Sequence, residues 1–176
     1  MRRWLVLAAV AVAAALPAAG IAVVTQGTIT PNRGAKGIRL GMTRAQLLAK
    51  LGQPVYRNAN GFMQYGPNDQ PILFDVYLDV ATTPDRVRLI GISGEGFCLA
   101  AGGPCLREKG AVGKLKARYG AALKIVQLED GERVYRLTGT SGGCDVFTDF
   151  TPARFRPSSR ILMVFIGYLS GSACGG

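Results

Sequence analysis

"IRLGMTRAQLLAKLGQP", residues Ile38 to Pro54, decides how the rest of the chain is read. Thr43 is followed three residues later by Gln46, the spacing of a capping box. The Thr43 hydroxyl accepts from the backbone at Gln46, and the Gln46 side chain reaches back to the Thr43 backbone. Met42 before the cap and Leu47 after it are placed as a hydrophobic staple. Leu47, Leu48 and Leu51 share one helix face. Gly52 stands where a left-handed residue ends a helix, and Pro54 blocks its continuation. So short a helix is marginal alone and must be held by packing. Its leucine face therefore predicts an adjacent sheet.

The sheet follows in the sequence. Phe62 to Gly66 reads as a short strand. Ile72 to Val80 alternates, with Phe74, Val76, Leu78 and Val80 on one face and Asp75, Tyr77 and Asp79 on the other. "TTPD" (Thr82 to Asp85) is a turn, and Arg86 to Ser93 is the next strand. The pattern then recurs. "GAVGKLKARYG" (Gly110 to Gly120) lines up with "MTRAQLLAKLG" (Met42 to Gly52) at an offset of 68, matching Leu47 to Leu115 and Gly52 to Gly120. Val112, Leu115 and Tyr119 form its apolar face. Gly110 and Gly113 each cost about 1 kcal/mol in a helix interior, and the threonine cap has no counterpart. Strands follow at Leu123 to Leu128, Glu132 to Thr138, Cys144 to Phe150 and Arg160 to Leu169, with Asp130-Gly131 as a hairpin signal. "ILMVFIGYL" (Ile161 to Leu169) is apolar on both faces, as a central strand is. The expected fold is α+β, in two related units at residues 37–97 and 98–176. Each unit is a short helix packed on an antiparallel sheet of three to four strands.

The first residues concern address. Met1-Arg2-Arg3 precedes Trp4 to Val24, which carries no charge. Residues 1–24 read as a signal peptide, because Pro17 breaks the apolar helix and Ala18-Ala19-Gly20 offers small residues for cleavage. The alternative is an uncleaved N-terminal membrane anchor over residues 4–24, since about 20 apolar residues span a bilayer. Both readings place the remainder outside the cytoplasm, periplasmic or secreted. No cysteine follows the apolar stretch, which argues against a lipoprotein. Thr25 to Lys36 ("TQGTITPNRGAK") reads as a linker.

Four cysteines, Cys98, Cys105, Cys144 and Cys174, suit an oxidising compartment and suggest two disulfides, with three possible pairings. "LAAGGP" between Cys98 and Cys105 is soft enough to close on itself. We therefore expect Cys98–Cys105, which leaves Cys144–Cys174. The alternative is four buried thiols. The spacings are not C-x-x-C, which argues against a redox enzyme.

Removing Arg2 and Arg3 leaves 19 Lys+Arg against 11 Asp+Glu, a net charge of +8. That balance favours acidic partners: an envelope protein or an anionic membrane surface, with export arguing against nucleic acid. It is equally the balance of an ordinary soluble basic surface. The chain contains no histidine, which excludes a histidine base and histidine-ligated metal. Asp75 and Asp79 are about 13 Å apart along a strand, too far to cooperate, and read as a solvated strand face. The same holds for Asp145 and Asp149. No catalytic residue, metal site or cofactor is expected. The candidate binding site is "ARFRPSSR" (Ala153 to Arg160). It places Arg154, Phe155, Arg156 and Arg160 on one loop, where forked guanidiniums suit carboxylate or phosphate and Phe155 could stack. The plainer alternative is a solvated hairpin end with Phe155 tucked into the core.

The opening stretch resembles the helical signature of the SmpA/OmlA-like domain of bacterial envelope proteins. Ile38, Gly41, Met42, Thr43, Leu47, Leu51, Gly52 and Pro54 carry that resemblance. "REKGAVGKLKARYG" (Arg107 to Gly120) is similar to the related helix of the β-lactamase-inhibitor-protein fold, built from two helix-plus-sheet repeats. The resemblance implies a non-enzymatic binding module outside the cytoplasm. Relatives include lipoproteins that assist outer-membrane assembly and secreted inhibitors that bind an enzyme across a concave sheet. The chain lacks a lipidation cysteine and any inhibitor contact motif, so no functional residue transfers. The expected function is an exported, non-enzymatic protein-binding module of the bacterial cell envelope. The alternatives are an inhibitor of a periplasmic or secreted enzyme and a small enzyme of unknown chemistry.

Overall fold

A computed structural model of the protein describes residues 20–67, 73–141 and 144–168. Ahead of the opening helix run three strands, β1 (Gln26–Thr30), β2 (Gly34–Ala35) and β3 (Ile38–Arg39). The helix itself, α1 (Arg44–Leu51), is bounded as its sequence requires. Gln46 N–H donates to Thr43 Oγ1 at 3.2 Å, and Thr43 N–H donates to Gln46 Oε1 at 2.9 Å. Gly52 closes the helix at φ 81°, a region that favours glycine, and its N–H donates to Leu48 O. Leu47 is fully buried, and Met42, Leu48 and Leu51 pack against the same core.

Then come β4 (Tyr56–Arg57), β5 (Phe62–Gln64), β6 (Phe74–Asp79), β7 (Arg86–Ser93) and β8 (Gly96–Leu99). The second helix, α2 (Ala111–Tyr119), precedes β9 (Leu123–Gln127), β10 (Arg133–Ser141), β11 (Cys144–Pro152) and β12 (Ile161–Tyr168). Phe74, Val76 and Leu78 point inward as the alternation requires, while Val80 lies past the end of β6 and is exposed.

The expected pair of helix-on-sheet units is not what forms. The chain is mostly β, with one eight-stranded antiparallel sheet in the order β4-β5-β6-β7-β12-β11-β10-β9. The two antiparallel runs meet where β7 pairs β12, from Met163 opposite Ser93 to Gly167 opposite Leu89. The two-faced apolarity of "ILMVFIGYL" does mark a central strand, but β12 is central to both halves at once. Periodicity reports how many faces a strand covers and says nothing about which neighbour flanks it.

A second, four-stranded mixed sheet has the order β3-β2-β1-β8, with β1 parallel to β8. It is built largely from the stretch expected as a linker. "TPNRG" is the turn between β1 and β2, where Arg33 N–H donates to Thr30 O and Asn32 adopts φ 60°. Turn residues alone do not separate a hairpin from a linker. Residues 21–24 of the apolar leader also belong to the folded part. Ala22 N–H donates to Gln53 O, Val24 N–H donates to Tyr65 O, and Val24 is buried. Residues 1–19 lie outside the described residues. Among the described residues no helix is long and apolar enough to cross a membrane.

The glycines of α2 differ from expectation in a way that explains the missing side-chain cap. Gly110 is the N-cap, at φ 78°, and is not in the helix interior. The N–H groups of Gly110, Val112 and Gly113 donate to the carbonyls of Ser158, Ser159 and Pro157, in the loop between β11 and β12. Backbone carbonyls thus satisfy the orphan amides that a threonine would otherwise cap. A Cβ at Gly113 would stand 3.0 Å from Pro157 O, so glycine lets the loop approach this closely without shifting.

Burial and capping make separable contributions to α1. Leu47→Ala is expected to cost about 3 kcal/mol of unfolding free energy by cavity formation. Thr43→Ala is expected to cost about 1 kcal/mol. Urea titration of both variants measures this, and a larger loss at Thr43 than at Leu47 would show that packing does not hold the helix.

Candidate functional site

Strand register sorts the large sheet into two faces. One row runs Met63, Val76, Ile90, Ile166, Thr148 and Leu137 across β5, β6, β7, β12, β11 and β10. All but Thr148 lie in the hydrophobic core, together with Leu47 of α1, Val112 and Leu115 of α2, and Ile29 and Phe97 of the small sheet. Thr148 is buried as well, and its hydroxyl accepts from Asn32 N–H at 2.6 Å. Both helices and the small sheet therefore cover this face.

On the opposite face, two rows carry the aromatic rings. The first runs Phe62, Tyr77, Leu89, Gly167, Phe147 and Thr138, and the second Gln64, Asp75, Gly91, Phe165, Asp149 and Arg136. None of these residues belongs to the core, and among the described residues no helix or strand lies over them. Phe62, Tyr77, Leu89, Phe147 and Phe165 are all half-buried. Tyr56, on the edge strand opposite Gln64, is 52% exposed and adds a further ring to this face. Its ring lies 6.0 Å from that of Phe62, which in turn lies 5.1 Å from Tyr77.

Two glycines flatten the middle of this face. A Cβ at Gly91 would stand 3.0 Å from the Phe165 ring, and one at Gly167 would stand 2.7 Å from Leu89 and 3.0 Å from Phe147. The large side chains lie down over the glycines, so the strand backbones themselves form the floor. Interior strand glycine otherwise weakens a sheet, and here close approach is the reason for it.

Two carboxylates occupy the face under different conditions. Asp149 is buried and makes a bidentate pair with Arg136, both bonds at 2.7 Å. The Arg136 guanidinium sits 4.9 Å from the Phe147 ring centroid, and its bond to Asp149 raises its pKa further. Asp75 has no such partner. Its Oδ1 is buried without a hydrogen bond, and burial pushes its carboxyl up to about 6. Burial, then the Asp75 charge, raises the Tyr77 hydroxyl. The reading of Asp75 and Asp149 as members of solvated strand faces is thus corrected. The acid-bearing face of "FDVYLD" also bears Tyr77, and that aromatic was the available signal.

The expected arginine site divides. Arg154, Arg156 and Arg160 are exposed on the β11–β12 loop. Phe155 packs instead on Tyr135, centroids 4.9 Å apart, beneath the Arg133 guanidinium at 4.6 Å. Cys98 and Cys105 form a disulfide, consistent with a non-cytoplasmic location. Cys144 begins β11 and is not a free thiol, while its expected partner Cys174 lies outside the described residues. A cleft of about 350 Å³ opens between the two sheets, with Arg33, Arg39 and Tyr168 in its lining. Among the described residues no group of His, Cys, Asp and Glu is arranged to hold a metal ion.

No protein-family model, curated protein or solved structure matches the chain.

Asp75 yields a pH-dependent expectation. Its folded pKa lies above the ordinary 3.8, so its stabilising contribution is complete below that value and is lost as pH rises through about 6. Water still reaches part of the carboxylate, which reduces the penalty at pH 7 to the order of 1 kcal/mol. Asp75→Asn is expected to stabilise the fold by that amount at pH 7 and to bring no gain near pH 4. Urea unfolding of both proteins across that range checks it, and a destabilised variant at pH 7 would refute it.

Proposed function

We propose that this chain is an exported, non-enzymatic protein-binding module of the bacterial cell envelope, acting through the open face of its large sheet. The carrying observation is the half-buried apolar surface of Phe62, Tyr77, Leu89, Phe147 and Phe165, four of them aromatic, which no described element covers. Contiguous apolar surface of this kind marks interaction sites, and aromatic side chains dominate the energetics of protein interfaces. The disulfide supports a location outside the cytoplasm. The capping-box helix, with its resemblance to envelope-protein domains, supports the same address. An envelope protein is the partner we favour, because the open face is aromatic and carries few cations. An inhibitor of a periplasmic or secreted enzyme would use the same face.

Arg154, Arg156 and Arg160 serve as a second contact, directed at acidic groups beside the main face or at an anionic membrane surface. Their exposure on a loop anchored to α2 supports this role.

Site-specific photo-crosslinking in an exporting host tests the main reading. A crosslinker at Tyr77 or Phe147 is expected to yield one discrete protein adduct, and a crosslinker at the exposed edge residue Ile125 none. Equal adducts from all three positions, or none from the face, would remove the proposal. Purified protein sedimented with phosphatidylglycerol vesicles tests the arginines. Replacing Arg154, Arg156 and Arg160 with alanine is expected to reduce retention several-fold, and unchanged retention would discard their role toward membranes.

A further inference from the structure

Asp75 is the anomaly of the open face. The three ion pairs among the described residues use Asp85, Glu108 and Asp149, bound to Arg44, Lys114 and Arg136. None of the described cations pairs with Asp75, although basic residues outnumber acidic ones in the chain by ten. Its Oδ1 is buried and accepts no hydrogen bond. Buried polar atoms nearly always have a partner, and a buried charge without one is costly. Such an atom on a surface awaiting a partner is satisfied by what arrives.

The surroundings define what that is. Gly91 forms the floor, and the Asp75 Cβ and the Phe165 ring both lie within 4 Å of where a Gly91 Cβ would stand. Tyr77 follows on the same strand face, its ring 5.1 Å from that of Phe62. A carboxylate with aromatic side chains beside it on the sheet face matches one chemistry, an organic cation. The carboxylate forms charge-assisted hydrogen bonds with it, and the rings supply cation–π attraction that strengthens as water leaves.

We propose that Asp75 receives the guanidinium or ammonium of a basic side chain from the bound partner protein, and so fixes where the partner sits on the open face. This rests on the reading of that face as a protein-binding surface. A partner without a cation there would leave the carboxylate buried and unpaired, so Asp75 selects as well as attracts. Among the described residues, the groups facing Asp75 are Gln64 from β5, Leu89, Gly91 and Ser93 from β7, Phe165 from β12 and Tyr77 on its own strand. Of these only Tyr77 titrates, and its raised pKa keeps it neutral through the physiological range. Loss of the Asp75 charge on acidification therefore governs binding, which weakens as pH falls through about 6.

The test selects a phage-displayed random peptide library on the full chain purified from an exporting host. Binding peptides are mapped by competition with Tyr77→Ala and Phe147→Ala proteins. Peptides that bind the open face are expected to share an arginine or lysine. Asp75→Asn should weaken them at least tenfold, and citrulline in place of the peptide arginine should cost as much. Asp75→Asn is expected to fold at least as stably as the parent, so its loss of binding is not a folding defect. Face-binding peptides without a basic residue, or indifferent to Asp75→Asn, would overturn this inference and leave the binding face standing. Absence of any face-binding peptide would overturn both.

Discussion

The pairing of β7 with β12 is the constraint on which the molecule depends. Five residue pairs, from Met163 with Ser93 to Gly167 with Leu89, join two antiparallel runs that would otherwise end in two exposed edges. An open edge presents unpaired amides and carbonyls to any passing strand. Joining the runs removes two such edges and makes one surface. The pairing also sets Leu89 and Gly91 beside Gly167 and Phe165, so each glycine lies next to a large side chain from across the junction. Both close approaches, Phe165 over Gly91 and Leu89 over Gly167, form at this seam. The flat centre of the open face is thus a product of the junction and belongs to neither half.

The covered face follows from the same arrangement. One continuous sheet needs cover along its whole width, and helices of eight and nine residues are too short to supply it alone. The small sheet fills the remainder. Phe97 of β8 stacks on Phe74 of β6 with centroids 5.8 Å apart, and Asn32 at the β1–β2 turn reaches Thr148 of β11. The disulfide closes the chain just after β8, next to Leu106, which is itself buried. At the other end, the β11–β12 loop turns its carbonyls onto the start of α2. The arginines of that loop are consequently presented on a fixed turn.

Local signals in the sequence proved legible wherever neighbouring residues decide the outcome. The capping box at Thr43 and Gln46, the stop at Gly52, the alternation of β6 and the hairpin around Asp130-Gly131 all lie within a few residues of what they specify. The Cys98–Cys105 pair belongs with them, because the two stand only seven positions apart. Strand partnership did not yield to the same reasoning. Seventy-odd residues separate β7 from β12, and β1 meets β8 across a similar span. The open face was hidden for a related reason. "ILMVFIGYL" is apolar on both sides, which suits a strand buried twice over, but Phe165 and Gly167 lie on the uncovered side. Apolarity shows that a side chain prefers to leave water, not whether this chain or another one receives it.

The charge pattern bears on that last distinction. A strongly basic chain has many cations that could pair with Asp75, and Arg136 shows that a cation can be seated on this face, against Asp149. A resident cation beside Asp75 would stabilise the folded monomer, yet none is there among the described residues. Natural sequences depart from local optimisation chiefly where function requires it. The two carboxylates are on the same face, in the same row, with β7 and β12 between their strands. One is satisfied internally and holds Arg136 over Phe147, which fixes the shape of the surface. The other is left with a buried, unsatisfied oxygen between a glycine floor and aromatic walls. That division, one pair closed and one half-pair open, is the pattern that the proposed binding role of this face calls for.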